Sequence, residues 1–422
     1  MKTKTKIPSS KLRVGIVVPH IFMHADILPH VIFSPGKLAL ELCSGLQGLG
    51  IEVTLYSPGP IDTSVKNVTA DLTLFEQELE GRGDSYLELL KKHPFTFITL
   101  ARQVQSEVIA AAMMAANDNE LDIVHIYTNE EDIALPMAKL CTKPVIFTHH
   151  DPFNFLVKYK NVFPKYSRLP WLSMSYSQRA GMPKNTNWIA NIYHGLPIGE
   201  LSYIPNPNMD YFLYIGRIIE PKGVHLAIQA LREFNKSHNK RYKLKIAGKH
   251  YAGHKKDTYW QQIIEPTLSA GDIEYVGFIN SKTAKSELIG NAKAIIVPSI
   301  FDEPFGLVMI EALACGTPAI GLDSGAIPEV IEDGKTGYVV QKAYGTELDK
   351  LGLPILDEQA TASTIAAKMG QIDSIKREYC RQRYQDNFTT DRMCYEHKKA
   401  YELLIQSPDR WQFSGETGSS LK

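Results

Sequence analysis

The stretch that most constrains this 422-residue chain runs from Ala294 to Val340. It begins A-I-I-V-P-S-I-F-D-E-P-F-G-L-V-M-I-E-A-L-A-C-G-T-P-A-I-G and, after Leu322, continues D-S-G-A-I-P-E-V-I-E-D-G-K-T-G-Y-V-V. Ala294–Val297 is a short apolar run closed by Pro298, the signature of a buried parallel strand. Pro304 suits the first turn of a helix. Leu307 to Ala314 is that helix, Cys315-Gly316 ends it, and Thr317–Gly321 is the next strand. Two acids and a glycine thus fall at the carboxyl end of a strand, the edge where open α/β sheets hold ligands.

Chemistry follows from that placement. The N–H groups of Phe305, Gly306 and Leu307 would head a helix, and such an end favours an anion, typically phosphate. Glu303 and Glu311 are eight residues apart, roughly 12 Å along a helical path. That is wider than the roughly 5–9.5 Å of a glycosidase pair. Carboxylates on both sides of a phosphate-binding turn fit an extended ligand with hydroxyls on either side of a phosphate, as in a nucleotide sugar. An isolated E-x7-E would be no more than a solvated loop acid and an exposed helix acid. The strand–turn–helix context favours the functional reading.

The same stretch resembles the donor-binding segment of the family-4 retaining glycosyltransferases. The matching pieces are P-S-x-F-x-E-P-F-G-L-V-x-I-E-A-x-A-C-G-T-P (Pro298–Pro318) and G-A-I-P-E-V-I-x-D-G-x-T-G (Gly325–Gly337). The resemblance implies a GT-B fold: two Rossmann-like α/β domains facing across a cleft, with a final helix crossing back to the first domain. It implies a nucleotide-sugar donor as co-substrate, no separate cofactor, and retention of anomeric configuration. In its terms Glu303 binds sugar hydroxyls, Glu311 the ribose, and the amides of Phe305, Gly306 and Leu307 the diphosphate.

Length suits two domains of about 200 residues each. Hydrophobic content of 44% with 22% charged residues is that of a globular protein with a sizeable core. Formal net charge is zero, so no global field favours nucleic acid. Five scattered cysteines (Cys43, Cys141, Cys315, Cys380, Cys394) form no C-x-x-C. They read as reduced thiols of a cytoplasmic protein rather than a zinc site or disulfide framework. The N-terminus lacks a secretory signal pattern, and no run approaches the ~20 apolar residues of a membrane span. No D-x-D tripeptide occurs, which removes the simplest cue for a metal-held diphosphate; no metal site is expected.

Residues 1–10 read as a polar tail and 11–198 as the first, acceptor-side domain. Leu12–Val18 is its first strand, followed by a loop bearing His20, His24 and His30, whose spacing fits no standard metal site. Ser34-Pro35-Gly36 opens a helix that Gly50 ends. Relatives carry a Gly-Gly pair there, close to the donor phosphate; only Gly36 carries over, and a plain helix-start glycine explains it as well. Residues 85–117 look helical. Asp122–Tyr127 and Pro144–Thr148 are buried strands, the second ending in His149-His150. A histidine at a strand's carboxyl end is a functional candidate. The family pattern T-x-H selects His150, implying a place near the donor sugar. Residues 151–185 mix aromatics with cations, a segment that could touch an acidic acceptor or a membrane surface, although half of it should be core.

Residues 199–208, rich in proline, read as a linker, and 209–386 as the donor-binding domain. Tyr211–Ile215 is a strand, followed by Gly216-Arg217 and then Lys222-Gly223 at a helix start. Cations are misplaced at a helix N-terminus unless an anion sits there. The family shows G-R-x-x-x-x-K-G here, which implies that Arg217 and Lys222 clamp the donor diphosphate. Lys243–Gly248 and Glu274–Gly277 are strands. The following loop, with Phe278, is where relatives hold the base. Beyond Val340 the chain reads as irregular to about Asp357, then as helices near 358–370 and 373–386. Residues 387–405 form the crossover helix, with Met393, His397, Tyr401 and Leu404 on one face, and 406–422 a tail.

The reaction implied is transfer of a hexosyl unit to a sugar, lipid-linked or small-molecule hydroxyl acceptor. UDP is the expected nucleotide and GDP the alternative. The expected location is cytoplasmic, with peripheral contact at the inner membrane face as a variant. Two other classes stay open: a nucleotide-sugar epimerase of GT-B fold, and a non-catalytic nucleotide-sugar-binding protein.

Overall fold

A computed structural model describes residues 11–128, 130–250, 257–349 and 352–412. The expected tail at 1–10, and that at the C-terminus from residue 413, lie outside the described residues. The chain divides into two compact units, Met1–Tyr193 with Thr390–Lys422, and His194–Thr389.

The first unit is built on a seven-stranded parallel sheet. Its strands are β1 (Arg13–Val17), β2 (Glu52–Ser57), β3 (Lys66–Thr69), β4 (Ile123–Tyr127), β5 (Val145–Thr148), β6 (Trp171–Ser173) and β7 (Trp188–Asn191). Their order is β3-β2-β1-β4-β5-β6-β7. Every residue of β4 and β5 is buried, the mark of a sheet covered on both faces. β3 is partly exposed and polar, as suits an edge. The segment expected to be helical over 85–117 is so, as two helices, Tyr86–Lys92 and Pro94–Asn117. Ser85 and Glu88 form a capping box on the first. Pro94 has no N–H to continue that helix and starts the second. β6 was hidden by the aromatic–cation mixture around it; its Trp171 is wholly buried.

The helix Thr390–Gln406 completes this unit. A Cβ on Gly45 would stand 2.3 Å from Cys394 Sγ, so the missing side chain lets this helix lie against Ser34–Gly48. Tyr401 reaches the sheet: its hydroxyl is 2.8 Å from His125 Nδ1, and His125 Nε2 is 2.8 Å from Thr148 Oγ1. Full burial holds His125 well below the usual imidazole range, so the ring is a neutral bridge. Met393, His397, Tyr401 and Leu404 are all buried.

The second unit holds a six-stranded parallel sheet of order β10-β9-β8-β11-β12-β13. Its strands are β8 (Tyr211–Ile215), β9 (Lys243–Ala247), β10 (Ile273–Gly277), β11 (Ile295–Val297), β12 (Ala319–Leu322) and β13 (Gly337–Val340). The stretch expected as irregular after Val340 contains a small antiparallel pair, β14 (Tyr344–Leu348) and β15 (Pro354–Leu356). Residues 194–208 belong to this unit. Leu201 is buried, and Ile204 fills the space beside Gly290 that a Cβ would take. The prolines gave this segment the look of a free linker, but its apolar residues tie it down. Among the described residues, no helix is long and apolar enough to cross a membrane.

Both sheets reverse strand order once, between β1 and β4 and between β8 and β11. The loops leaving the carboxyl ends of such a pair open a crevice, where ligands of open α/β sheets bind.

Candidate active site

In the second unit the crevice is formed by the loops after β8 and β11. The loop after β11 carries Ser299 and Glu303. Glu303 is only 5% exposed. Lys222 Nζ, from the β8 loop, lies 2.5 Å from its Oε1, and the Ser299 hydroxyl donates to the same oxygen. The ammonium also stands 4.7 Å above the Phe301 ring. The Glu303 backbone is fixed too: its carbonyl accepts from Ala326 N–H at 2.8 Å. Gly325 makes this possible, since its φ is +58° and a Cβ would lie 2.2 Å from the Glu303 oxygen.

Lys222 therefore meets an anion of the protein itself at the start of the helix Val224–His238. Glu220, two residues before it in the chain, is not that anion. Arg217 is exposed, and its carbonyl accepts the Tyr214 hydroxyl at 2.6 Å. The structure thus brings Lys222 and Glu303 together but leaves the Arg217 side chain outside that pair. Gly216 lies against the β9 loop, where a Cβ on Gly248 would sit 1.8 Å from its carbonyl oxygen.

Glu303 precedes the helix Leu307–Cys315, whose N-cap is Gly306 with φ +91°. A Cβ there would meet only the movable Met309 side chain, so backbone angle, not space, calls for glycine. The Phe305 ring is 1% exposed and packs 5.0 Å from His194 and 6.0 Å from Phe388. That anchor fixes the turn at the helix mouth, where the N–H groups of the first turn lack intrahelical acceptors. One turn and more along the helix, Glu311 Oε1 is bonded to Lys285 Nζ at 2.6 Å. Its Oε2 is buried with no partner among the described residues. An acceptor in that state requires a donor from elsewhere. At the far side of the sheet edge, Phe278 is 39% exposed with Lys249 Nζ 4.4 Å over its ring.

In the first unit the corresponding crevice lies between the loops after β1 and β4, with the β5 loop beside it. His149 and His150 part company here. His149 is wholly buried among Phe153, Tyr159 and Phe163, with Nδ1 3.1 Å from Glu131 Oε1. Burial lowers its pKa to about 4 and holds Glu131 well above the carboxylate range, so both are uncharged. His150 is 8% exposed and packs edge-on against Tyr127 at 4.6 Å. Gln178 brackets it: its amide nitrogen donates to His149 O at 2.7 Å and Asp151 O at 3.0 Å.

Two of the three loop histidines, His20 and His24, do local work, while His30 is exposed. His20 Nδ1 accepts from Phe22 N–H and its ring packs 4.5 Å from Phe22 and Phe33. His24 Nδ1 accepts from Asp26 N–H. His20 Nε2 is 3.8 Å from Glu130 Oε1 at the end of β4. Burial pushes Glu130 up to about 7 and His20 down to about 4. Gly36 is the third residue of the helix Ser34–Gly48, in its first turn, with Phe33 and Met23 in the space beside it.

Sequence reading missed Ser299, Lys285, Gln178 and the Glu130–Glu131 pair. Ser299 had a signal in its place within the P-S-x-F-x-E run. Lys285 and Gln178 had none, because each acts on a group 26 or more residues away.

Residues 203–363 match the family model of glycosyl transferases group 1. An uncharacterized glycosyltransferase of Methanocaldococcus jannaschii, MJ1607, is 33% identical over 128 residues, 30% of this chain and 31% of that protein. A phosphatidyl-myo-inositol mannosyltransferase of Mycobacterium leprae is 22% identical over 347 residues, 78% of this chain and 83% of that one. Matches to the first curated relatives span 31–48% of their length. Among solved structures, Anabaena HepE in complex with UDP and glucose aligns with a TM-score of 0.62 at 14% identity, covering 93% of this chain and 99% of that one. Residues 203–363 of the second unit thus match the group 1 glycosyl transferase model, and the chain shares the GT-B fold of solved glycosyltransferases.

Proposed function

We propose that the protein is a retaining glycosyltransferase that moves a hexosyl unit from a UDP-sugar to a hydroxyl acceptor without a divalent metal. One observation carries this reading: buried Glu303, held through one oxygen by Lys222 and Ser299, stands before a helix N-terminus whose next turns present the unpartnered Glu311 Oε2. A donor diphosphate seated on the amides of residues 305–307 would then have a carboxylate for sugar hydroxyls on one side and one for the ribose on the other. Lys222 and Arg217 supply positive charge beside the leaving diphosphate, the role a metal fills elsewhere. The exposed Phe278 loop takes the base. The bound UDP and glucose of the similarly folded HepE support the choice of nucleotide and of a hexose.

The chemistry is a front-face displacement. The anomeric carbon–oxygen bond to the diphosphate breaks, and the acceptor oxygen bonds the same face of that carbon. The acceptor's proton passes to the departing phosphate oxygen. Glu303 orients the hexose, and His150, assigned by family pattern, serves the reacting sugar. We place the enzyme in the cytoplasm, with a sugar or lipid-linked acceptor. The test is incubation with UDP-glucose and a panel of sugar acceptors in chelator, with NMR of the new linkage. Acceptor-stimulated UDP release with the donor's anomeric configuration is expected. An inverted product, or turnover restored only by Mg²⁺ or Mn²⁺, overturns the assignment.

A further inference from the structure

The edge of the first sheet opposite His150 holds a cavity of about 1020 Å³, at the upper end of the roughly 300–1,000 Å³ of small-molecule sites. It is made by the segments that enter β5, β6 and β7, so it opens at their amino ends. His149 and His150 leave the carboxyl end of β5, and its four residues set the two edges roughly 13 Å apart. The fourth wall is the chain's return after the helix Thr390–Gln406. Asn187 Nδ2 donates to Arg410 O at 2.7 Å, and Trp411 Nε1 to Leu404 O at 3.0 Å. Those bonds seat a turn of 3-10 helix, Pro408–Arg410, on the cavity rim.

The charge of the lining is one-sided. Lys139, Lys143, Lys165, Arg168 and Arg410 line it, against a single carboxylate, Asp409. The whole chain has 46 basic and 46 acidic residues, so an excess of four positive charges around one cavity is local, not a property of the surface at large. A concave wall focuses such a field. Lysines and arginines together provide point charges and planar forks, the donor set that oligophosphates take. Tyr166 and Trp411 add ring faces to the lining, and Asn185 and Asn187 add amides.

We propose that this cavity is a binding site for a multiply charged phosphate compound, separate from the crevice that carries His150. The ligand chemistry is that of a free oligophosphate or phosphorylated small molecule, not of a membrane surface, because the cations line a cavity rather than a flat face. The test is calorimetric titration of the full chain with inorganic tripolyphosphate, in parallel with the double variant Lys165→Glu/Arg410→Glu. Both positions are exposed. Lys143→Ala serves as a milder second variant, and thermal unfolding of all three checks folding. Tripolyphosphate should bind the wild type, and the double variant should lose at least about tenfold in affinity, because each charge-assisted contact is worth that much or more. Lys143→Ala should weaken binding in the same sense. Saturating UDP should leave this component of binding in place. Affinity unchanged in both folded variants, or fully displaced by UDP, overturns the site. So does binding to phosphatidylglycerol vesicles that depends on Lys165 and Arg410 without any binding of tripolyphosphate. Failure of UDP to bind at all would strike the proposed donor reading and leave this one standing.

Discussion

Replacing Gln178 by glutamate should make the first unit's stability depend on pH in a predictable way. Gln178 is 4% exposed. Its Nε2 donates to the carbonyls of His149 and Asp151, while its Oε1 accepts from Met174 N–H at 3.1 Å. Partners of those types allow only one orientation of the amide. Glutamate preserves the bond from Met174 but sets an oxygen against two carbonyl oxygens. Protonated, that oxygen can serve one of them, so at low pH the loss is one hydrogen bond, about 1 kcal/mol. Ionised, it serves neither and is repelled by both, so the folded pKa rises above the unfolded value of about 4.3. A raised carboxyl pKa contributes stability that is present below the unfolded pKa and lost as pH rises towards the folded one. The loss is at most about 1.4 kcal/mol per pH unit, so the deficit should grow from about 1 kcal/mol near pH 4 to as much as about 4–5 kcal/mol at pH 7. Guanidinium unfolding at several pH values measures it. Trp260 is the tryptophan of the second unit, so a Trp260→Phe background confines the fluorescence to the first. Gln178→Met gives a deficit without pH dependence as the control. A Gln178→Glu deficit equal at pH 5 and pH 7 would refute the bracket around His150.

Three further outcomes are expected. Lys222→Ala and Arg217→Ala should each lower kcat by roughly 10²–10³, with a double mutant less than additive; wild-type kcat with a raised KM would mean uniform binding instead. Glu311→Ala should weaken free-nucleotide binding, whereas Glu303→Ala should spare it and lower kcat; equal inhibition constants for UDP in the two variants would end that division of roles. Glu130→Gln should flatten the alkaline side of the stability profile. Wild-type Glu130, raised to about 7 by burial, favours folding below about pH 4.5 and loses that stability as pH climbs through 7. The gap to the variant should reach up to about 3 kcal/mol at pH 8, read by denaturant unfolding. The histidines lowered to about 4, His20, His149 and His397, act on the other limb, where stability is lost as pH falls from about 6.5.

Legibility from sequence followed the range of the forces involved. The strands β1, β4, β5, β8 and β11 are continuous apolar runs, and the turn Ser299–Gly306 carries its own proline and glycine signals although its partners lie elsewhere. Helix stops at Gly316 and Gly50 were equally local. The break at Pro94 is local in the same way, because proline has no N–H to continue the preceding helix. Trp171–Ser173 is a three-residue strand whose identity comes from its place beside β5, not from its own pattern. The partners of the site residues were the least readable. Lys285 approaches Glu311, and Lys222 approaches Glu303, only because the strand order reverses where it does. His150 was separable from His149 by a motif, but the reason for the separation lies in Glu131 and three aromatic rings.

The helix Thr390–Gln406 has a consequence for how the chain is made. It supplies Tyr401 to His125 and Cys394 to the groove beside Gly45, yet it is separated from the rest of its unit by residues 194–389. A ribosome adding about 5–20 residues per second needs roughly 10–40 s to make such a segment. Throughout that interval the nascent first unit presents the uncovered apolar flank of its Ser34–Gly48 helix, while the second unit, contiguous in sequence, is free to close. The order of maturation is therefore inverted relative to the order of synthesis: the half that begins the chain is the half that finishes last.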